Sequence, residues 1–408
     1  DMKSEFDLII VGGGMVGASL ARALSGSGLE IAVVEAWSLD SQQQPSYDDR
    51  AIALAYGTRQ ILQGVGVWDA LQSNVEPIRH IHVSDKGHFG FTRLDHKDHG
   101  VDALGYVATG HALGNVLLQG LEDLPGITLF CPAQMDSFEI ADDTARVRLS
   151  IAGERHALTA RLLVAADGTR SVIRETLGIE VREWGYGQTA LISNLTPSAE
   201  PSGVAYERFT DAGPMAMLPL TEGRYGMVWT LADEDVDQAM AMDDTQFLSQ
   251  VQQRFGNRLG IFEKAGERSC YPLKLLQAKE HVRPRVALIG NAAHAVHPIT
   301  GQGFNLGIRD VAVLADLLAE AAKAGSDIGD MQVLERYAAW RRRDQQAVAL
   351  MTDGLVRLFT NPLLPVRVAR NMGMLALDLV PSVKQMVTRQ FMGLNGHLPR
   401  LSRGLPLD

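Results

Sequence analysis

Cysteine is scarce: the 408 residues contain two, Cys131 and Cys270, far apart and in no metal-ligand spacing. A disulfide framework and a cysteine-bound metal are thereby excluded, and each thiol is expected to be reduced, a small buried apolar side chain. Long apolar runs are absent too, with no 18 uninterrupted apolar residues anywhere, and the N-terminal residues lack a basic region followed by an apolar run and a cleavage site. Membrane insertion and secretion are therefore not expected, which leaves a cytoplasmic protein. No block of like charge occurs, and the net charge is −10 with a pI near 5.6, so nucleic acid is not an expected partner. Internal repeats and low-complexity linkers are missing. A chain of this length exceeds a single growing core, so at least two domains are expected.

What is present begins at residue 7. The buried-strand run Asp7-Leu8-Ile9-Ile10-Val11 leads into Gly12-Gly13-Gly14-Met15-Val16-Gly17 and a helical pattern from Ala18 to Leu24; a second strand, Ile31 to Val34, ends in Glu35. In such a strand-turn-helix-strand unit Gly12 permits the tight turn, Gly14 lets a pyrophosphate approach the backbone, Gly17 allows close helix packing and Glu35 bonds a ribose hydroxyl. The phosphates sit where free N–H groups and the helix dipole favour negative charge. The acid at position 35 argues against a phosphorylated ribose, so the nucleotide is FAD or NAD rather than NADP.

Further along, Ile78 to Asp85 and Phe89 to Leu94 read as a hairpin around Lys86-Gly87-His88. Helical periodicity returns at Ala112 to Leu124, and the strand Arg161 to Ala166 delivers Asp167-Gly168. Short strands with turns follow from 181 to 273, interrupted by one helix near Thr245 to Phe255. That pattern is an antiparallel sheet able to keep one face for a ligand. The strand Arg285 to Ile289 then returns to the nucleotide unit and opens the run Gly290-Asn291-Ala292-Ala293-His294-Ala295-Val296-His297-Pro298-Ile299-Thr300-Gly301-Gln302-Gly303-Phe304-Asn305 to Asp310. Pro298, Gly301 and Gly303 break regular structure just before a helix, whose N-terminus would stabilise electron density on a bound ring system without a charged catalytic side chain. His294 and His297 flank this loop and carry two readings, acid/base chemistry or structural hydrogen bonding.

Three separated segments carry a family resemblance over nearly the whole chain: Gly12-x-Gly14-x-x-Gly17, the stretch from Asp167-Gly168-Thr169-Arg170 to Arg174, and Gly290 to Asp310. The sequence resembles the single-component, class A FAD monooxygenases, whose type member hydroxylates p-hydroxybenzoate. Asp49-Arg50 to Thr58, His82 to Phe91 and Glu207-Arg208-Phe209-Thr210 resemble the ubiquinone-biosynthesis hydroxylases within it. The third segment of the family usually begins Gly-Asp, whereas this chain has Gly290-Asn291, a mark of that branch. The resemblance implies an α/β fold, a Rossmann-like FAD-binding domain of the p-hydroxybenzoate hydroxylase type interleaved with an antiparallel-sheet substrate domain, and a C-terminal helical segment. Residues 1–75, 100–180 and 274–345 would form the discontinuous FAD-binding domain, 76–99 and 181–273 the substrate domain, and 346–408 the helical region.

The resemblance also implies FAD as cofactor and NAD(P)H as a transient reductant, since no second glycine fingerprint occurs. Cofactor contacts are then expected from Gly12, Gly14, Gly17, Glu35, Arg50, His111, Asp167, Gly168, Asn291, Gly301, Gly303 and Asn305, with Arg170 and Arg174 as candidate anion partners. His297 and Pro298 are the candidate catalytic positions. The implied reaction hydroxylates a polyprenylated phenol in ubiquinone biosynthesis, 2-polyprenyl-6-methoxyphenol to the corresponding 1,4-benzoquinol, through a flavin C4a-hydroperoxide. Another ring position, a soluble phenol, or a flavin subunit without turnover in a biosynthetic complex are the alternatives. Such an oxygen donor attacks electron-rich carbon, and Tyr206, Arg208, Met217, Trp229 and Tyr271 are expected to line the substrate pocket. O2, NAD(P)H and other ubiquinone-biosynthesis proteins are the implied partners. From Asn361 onward six basic residues face two acidic ones among many apolar side chains, a composition suited to peripheral contact with the inner face of a membrane as well as to packing on the catalytic body. On the first of these readings, deleting 361–408 would leave FAD bound.

Overall fold

Four consecutive fully buried residues, Leu8–Val11, place the first strand where both of its faces are covered. In the computed structural model, which describes residues 2–38, 50–85, 91–210, 213–295, 302–360, 398–405 and 407, this strand lies inside a parallel sheet. In chain order the first elements are β1 (Leu8–Val11), α1 (Met15–Leu24), β2 (Ile31–Val34), β3 (Ala51–Ala55), α2 (Tyr56–Val65), α3 (Trp68–Leu71), β4 (Glu76–Ile78), β5 (His80–Asp85), β6 (Phe91–Asp95), β7 (Gly105–Thr109) and α4 (Gly110–Leu118). Next come β8 (Ile127–Phe130), β9 (Gln134–Ile140), β10 (Ala145–Ile151), β11 (Glu154–Ala160), β12 (Leu162–Ala165), α5 (Val172–Thr176), β13 (Val181–Pro197), β14 (Val204–Thr210), β15 (Gly213–Pro219) and β16 (Tyr225–Ala232). The remainder are α6 (Val236–Ala241), α7 (Asp244–Phe255), β17 (Phe262–Ala265), β18 (Ser269–Ala278), β19 (Val282–Arg283), β20 (Val286–Leu288), β21 (His294–Ala295), α8 (Gln302–Lys323) and α9 (Met331–Thr360).

The first sheet has the order β19-β20-β12-β1-β2-β8, with every pair parallel except β19 with β20. One face packs on α1, α4 and α8 through Leu8, Ile10, Leu20, Leu117 and Ile308; the other is covered by the antiparallel meander β9-β10-β11 through Ile9, Val147 and Leu158. Local signals set the helix ends. Thr109 Oγ1 accepts from Ala112 N–H at 3.1 Å to start α4, and Asp243 Oδ1 accepts from Gln246 N–H at 2.8 Å to start α7. Helix α4 stops at Leu118 rather than Leu124, because the left-handed Gly120 turns the chain.

The second sheet runs β21-β18-β13-β16-β15-β14-β5-β6, with β17 paired to β13. It is antiparallel apart from β14 with β5, two strands that arrive from distant parts of the chain. Strands β5 and β6 pair as the predicted hairpin arms, and the turn at Lys86-Gly87-His88 lies outside the described residues. A small sheet, β3-β7-β4, sits between the two large ones. The Cβ that Gly226 of β16 lacks would stand 2.4 Å from Ala51 Cβ, so the second sheet presses directly on β3.

Helix α9 is continuous from Met331 to Thr360, and the expected boundary at 345/346 lies within it. Cys270 is exposed rather than buried, because Ser269 to Pro272 form an outer end of β18 paired only with β13; Cys131 is half-buried, its Sγ 3.0 Å from Trp37 O. The described end of the chain is not a surface appendage. Leu401 is fully buried against α2, where Gly64 leaves no room for a Cβ (2.8 Å from Leu401 Cδ2), and Lys323 Nζ of α8 donates to Leu407 O at 3.2 Å. Deleting 361–408 would therefore remove Leu401 from the first core, which supports the packing reading for this end of the chain. Leu401→Ala should cost about 2–5 kcal/mol, read as a lowered Tm in thermal unfolding, with partial release of flavin below that transition.

Candidate functional site

The site grows from the ends of β1, β12 and β20, which the parallel register places side by side. At the end of β1, Gly12 has φ +107° and a Cβ there would stand 2.1 Å from Ala166 O, so only glycine fits. Gly17 is as constrained: its missing Cβ would lie 1.9 Å from Gly12 O. Gly14 is the N-cap of α1 and supplies no side-chain cap, which leaves the first-turn N–H groups to a ligand. Glu35, buried at the end of β2, accepts from Gly13 N–H at 2.6 Å and from Trp37 N–H at 3.0 Å. Burial raises its carboxyl above the ordinary range, and the backbone donors hold it back.

Asp167 follows β12. Its Oδ2 accepts from Val172 N–H at 3.0 Å, while Oδ1 is buried with no partner among the described residues, and burial raises its pKa. A buried carboxylate oxygen next to a glycine turn that excludes Cβ atoms is the environment a sugar or ribityl hydroxyl completes. The donors here fit a flavin dinucleotide. Gly168 is left-handed (φ +82°). Arg174, a candidate anion partner, is instead a brace between two turns. Its guanidinium donates to Ala292 O at 2.9 Å and Thr169 O at 2.7 Å, tying the Asp167 turn to the Gly290 turn. Arg170 is exposed.

The Gly290 turn is held from behind by Asp310 of α8. Asp310 Oδ2 accepts from Gly290 N–H (2.9 Å) and His294 Nε2 (2.6 Å), and Oδ1 accepts from Arg341 Nε (2.7 Å) and Gln345 Nε2 (2.9 Å). Arg341 also pairs with Asp344, which pairs with Arg309 at 2.6 Å. Asp310, His294 and Arg341 are at most 2% exposed. Burial alone would raise the Asp310 pKa; His294 and Arg341 outweigh it and hold the carboxyl well below the usual range. His294 is thus a structural histidine, the second of its two sequence readings.

Asn305 lies one turn into α8 with its side chain directed at β3 and α2: Oδ1 accepts from Ala55 N–H (2.9 Å) and Thr58 Oγ1 (2.6 Å), and Nδ2 donates to Ala53 O (2.9 Å). Asn291 is exposed on the Gly290 turn, Gly303 is half-buried in the first turn of α8, and His111 is exposed in the first turn of α4. Arg50 stands just before β3 with its guanidinium 5.5 Å from the Tyr271 ring centroid. His297, Pro298 and Gly301 lie outside the described residues.

The five residues expected to line one substrate pocket do not share a face. Tyr206 opposes Met217, and Arg208, Met215 and Trp229 form one cross-strand row, all on the side covered by α6 and α7. Met217 and Trp229 are core there, and Arg208 Nε donates to Arg254 O of α7 at 3.1 Å. Tyr271 pairs with Ala190 on the opposite face, beside Arg50. Large apolar side chains mark the helix-covered face because that face needs the most volume. The face toward β3 instead carries Ala190, Ile192, Ala216 and Val228, and Glu207 belongs to it through its pairing with Ala216. Glu207 was missed; its strand parity relative to the apolar Tyr206, Met215 and Met217 was the available signal.

The FAD binding domain family matches residues 5–352. The chain belongs to this family of FAD-dependent monooxygenases. Over 404 residues it is 38% identical to "Ubiquinone hydroxylase UbiL" of Rhodospirillum rubrum, covering 98% of this chain and 93% of that protein. It is 32% identical to the 3-demethoxyubiquinol 3-hydroxylase of Escherichia coli, covering 95% and 98%. These likenesses place it in the ubiquinone-hydroxylase branch. The solved p-nitrophenol 4-monooxygenase PnpA of Pseudomonas putida has the same fold, with a TM-score of 0.80 at 20% identity, over 97% of this chain and 100% of that one. The protein is an FAD-dependent aromatic hydroxylase, and the glycine turn, Glu35 and Asp167 are the groups suited to hold its flavin.

Two outcomes follow from this geometry. Gly14→Asp places a negative charge at an anion-binding helix start and should weaken FAD binding about 100-fold, ~2.7 kcal/mol, measured as flavin absorbance per purified chain. Asp310→Asn leaves Arg341 and His294 buried without their anion and should cost about 3–5 kcal/mol in denaturant unfolding. Because the folded-state pKa of Asp310 is depressed, its contribution is fully present above an unfolded carboxyl pKa of ~4 and is lost as pH falls below it. Acid titration of unfolding should therefore show a steeper stability loss below about pH 4 in wild type than in the variant.

Proposed function

We propose that this enzyme hydroxylates the aromatic ring of a polyprenylated phenol in ubiquinone biosynthesis, converting 2-polyprenyl-6-methoxyphenol to the corresponding 1,4-benzoquinol with O2 and NAD(P)H. The observation that carries the reading is a built flavin cradle hydrogen-bonded through β21 to a large sheet that has one face lined by small aliphatic side chains, in a chain whose relatives are named as ubiquinone hydroxylases. In this reading the parallel-sheet unit with α8 and α9 holds the cofactor and the second sheet holds the substrate. Bound FAD supplies the electrophilic oxygen after reduction. The protein's own residues set geometry: Asp310 and Arg174 fix the Gly290 turn, Asn305 locks α8 to β3, and Ala51 against Gly226 fixes the distance between the cradle and the sheet. The small side chains Ala190, Ala216 and Val228 leave room for a ring and exclude water from it.

No helix among the described residues is long and apolar enough to cross a membrane. The basic, apolar composition of 361–397 supports peripheral contact with anionic lipid as the route to a polyprenyl substrate. The decisive assay incubates the holoenzyme with NADPH or NADH and 2-polyprenyl-6-methoxyphenol, with product identified by mass spectrometry. Coupled reductant oxidation and addition of one oxygen is the expected outcome. Hydroxylation at another ring carbon would move the assignment to a different step, and oxidation of reductant with only hydrogen peroxide released would overturn the substrate.

A further inference from the structure

Glu207 is an ionisable group on the sheet face away from α6 and α7, and among the described residues it neither braces the fold nor holds the cofactor. It sits in β14 between Val83 of β5 and Ala216 of β15, in a cross-strand row that continues through Val228 and Ile192. One row away, toward Leu218 and Gly226, the sheet is sealed by β3, where Ala51 stands against Gly226. In the other direction the row of Phe209 leads across to Thr230, Ala190 and Tyr271, with Arg50 over the Tyr271 ring. Glu207 therefore stands between the contact with β3 on one side and the row that ends at Tyr271 and Arg50 on the other.

Its environment is apolar. Glu207 has no hydrogen-bond or ion-pair partner among the described residues, although it is half-buried, and its cross-strand neighbours Val83 and Ala216 are aliphatic. The charged or titratable groups on this face among the described residues include Asp85 of β5 in the adjoining row, Tyr186 of β13 against the aliphatic cluster, Tyr56 beside Ile81, and Arg50 and Tyr271 across the sheet. Helix α9 also reaches β15. A salt bridge or a structural hydrogen bond would explain a carboxylate in such a place, and neither is present among the described residues. A ligand with an ionisable hydroxyl would explain it.

We propose that the Glu207 carboxylate accepts the ring-hydroxyl proton of the phenolic substrate, which makes it a catalytic base; the proposal rests on the phenol-hydroxylase reading above. The O–H bond of the ring breaks, the proton passes to a Glu207 oxygen, and the electron pair stays on the ring oxygen, raising electron density at the ortho and para carbons. One atom of O2 enters the ring, NAD(P)H supplies two electrons so that the other leaves as water, and the attacked carbon loses its hydrogen as a proton when aromaticity returns. Glu207 then returns its proton to the ring oxygen or to solvent. Burial pushes the Glu207 carboxyl up to about 8, which brings it within about two units of an ordinary phenol at ~10. Such matching is what efficient proton transfer requires.

The test uses the flavin-loaded full chain, with Glu207→Gln as an isosteric variant and Glu207→Asp as a carboxylate-retaining control. Flavin content and Tm should match wild type in the Gln variant, because the residue touches neither the cradle nor a helix. Its hydroxylation kcat should fall about 10²-fold or more, the ordinary worth of a general base. The base works ionised, so wild-type activity should rise with pH through about 8 and level off above it; the Gln variant should lose that limb and the Asp variant should keep one. Independently of turnover, the Kd of 2-methoxyphenol for oxidised holoenzyme should tighten as pH rises through about 8 with wild type, where the ionised Glu207 accepts the ring hydroxyl's hydrogen bond, and should stay flat over that range with Glu207→Gln. A flat Kd with wild type, the same tightening in the Gln variant, or an unchanged activity limb in the Gln variant would overturn the proposal. Failure of both proteins to hydroxylate polyprenyl phenols, with the two Kd profiles as expected, would overturn the polyprenyl assignment and leave the base in place.

Discussion

One carboxylate holds the cofactor side of this enzyme together. Asp310, fully buried in α8, receives four hydrogen bonds, from the Gly290 turn, from His294 and from Arg341 and Gln345 of α9. A lone buried charge of that kind would be prohibitively costly, and the arrangement persists because each oxygen is doubly satisfied and two cationic or cation-capable partners flank it. Its consequence is geometric. The turn after β20, the strand β21 and the helices α8 and α9 cannot move independently, and β21 is itself hydrogen-bonded to β18 of the second sheet. Arg174 extends the same logic to the Asp167 turn, so the cradle's separated segments form one braced unit.

From that unit the second sheet takes its orientation. Its two faces differ in kind: one is filled by Met215, Met217, Trp229 and Phe247 beneath α6 and α7, the other is lined by small aliphatic residues and pressed at one edge against β3. Tertiary volume, not residue chemistry, decides which aromatic side chains are core. The glycine at 226 and the alanine at 51 matter here for what they lack, since any larger pair would push the sheet away from the cradle.

The nucleotide unit was legible because its constraints are local. Gly12, Gly17 and Glu35 act within one strand-turn-helix-strand stretch, so spacing along the chain maps onto spacing in space. The candidate site was legible only in part. Asn305 and Arg174 stand in ligand-binding segments, and the hydrogen bonds that fix them run to β3, α2 and the Gly290 turn, which no local pattern announces. The five aromatic, sulfur-bearing and basic residues of the second sheet divided between its faces, since composition identifies the strands and only the pairing register assigns each side chain to a side.

By itself the sequence determined the alternation of elements, the class of cofactor and the absence of cysteine-based architecture, because these depend on periodicity, glycine spacing and residue counts. Tertiary structure decided the rest. It turned His294 from a candidate acid or base into a partner of Asp310, seated Leu401 in a core that begins with residue 8, and brought Glu207 to the face toward β3 while Tyr206 and Arg208 on either side of it went to the face beneath α6 and α7. Each of those outcomes depends on contacts between segments tens to hundreds of residues apart, and such contacts are set by how the layers pack rather than by anything in the neighbouring sequence.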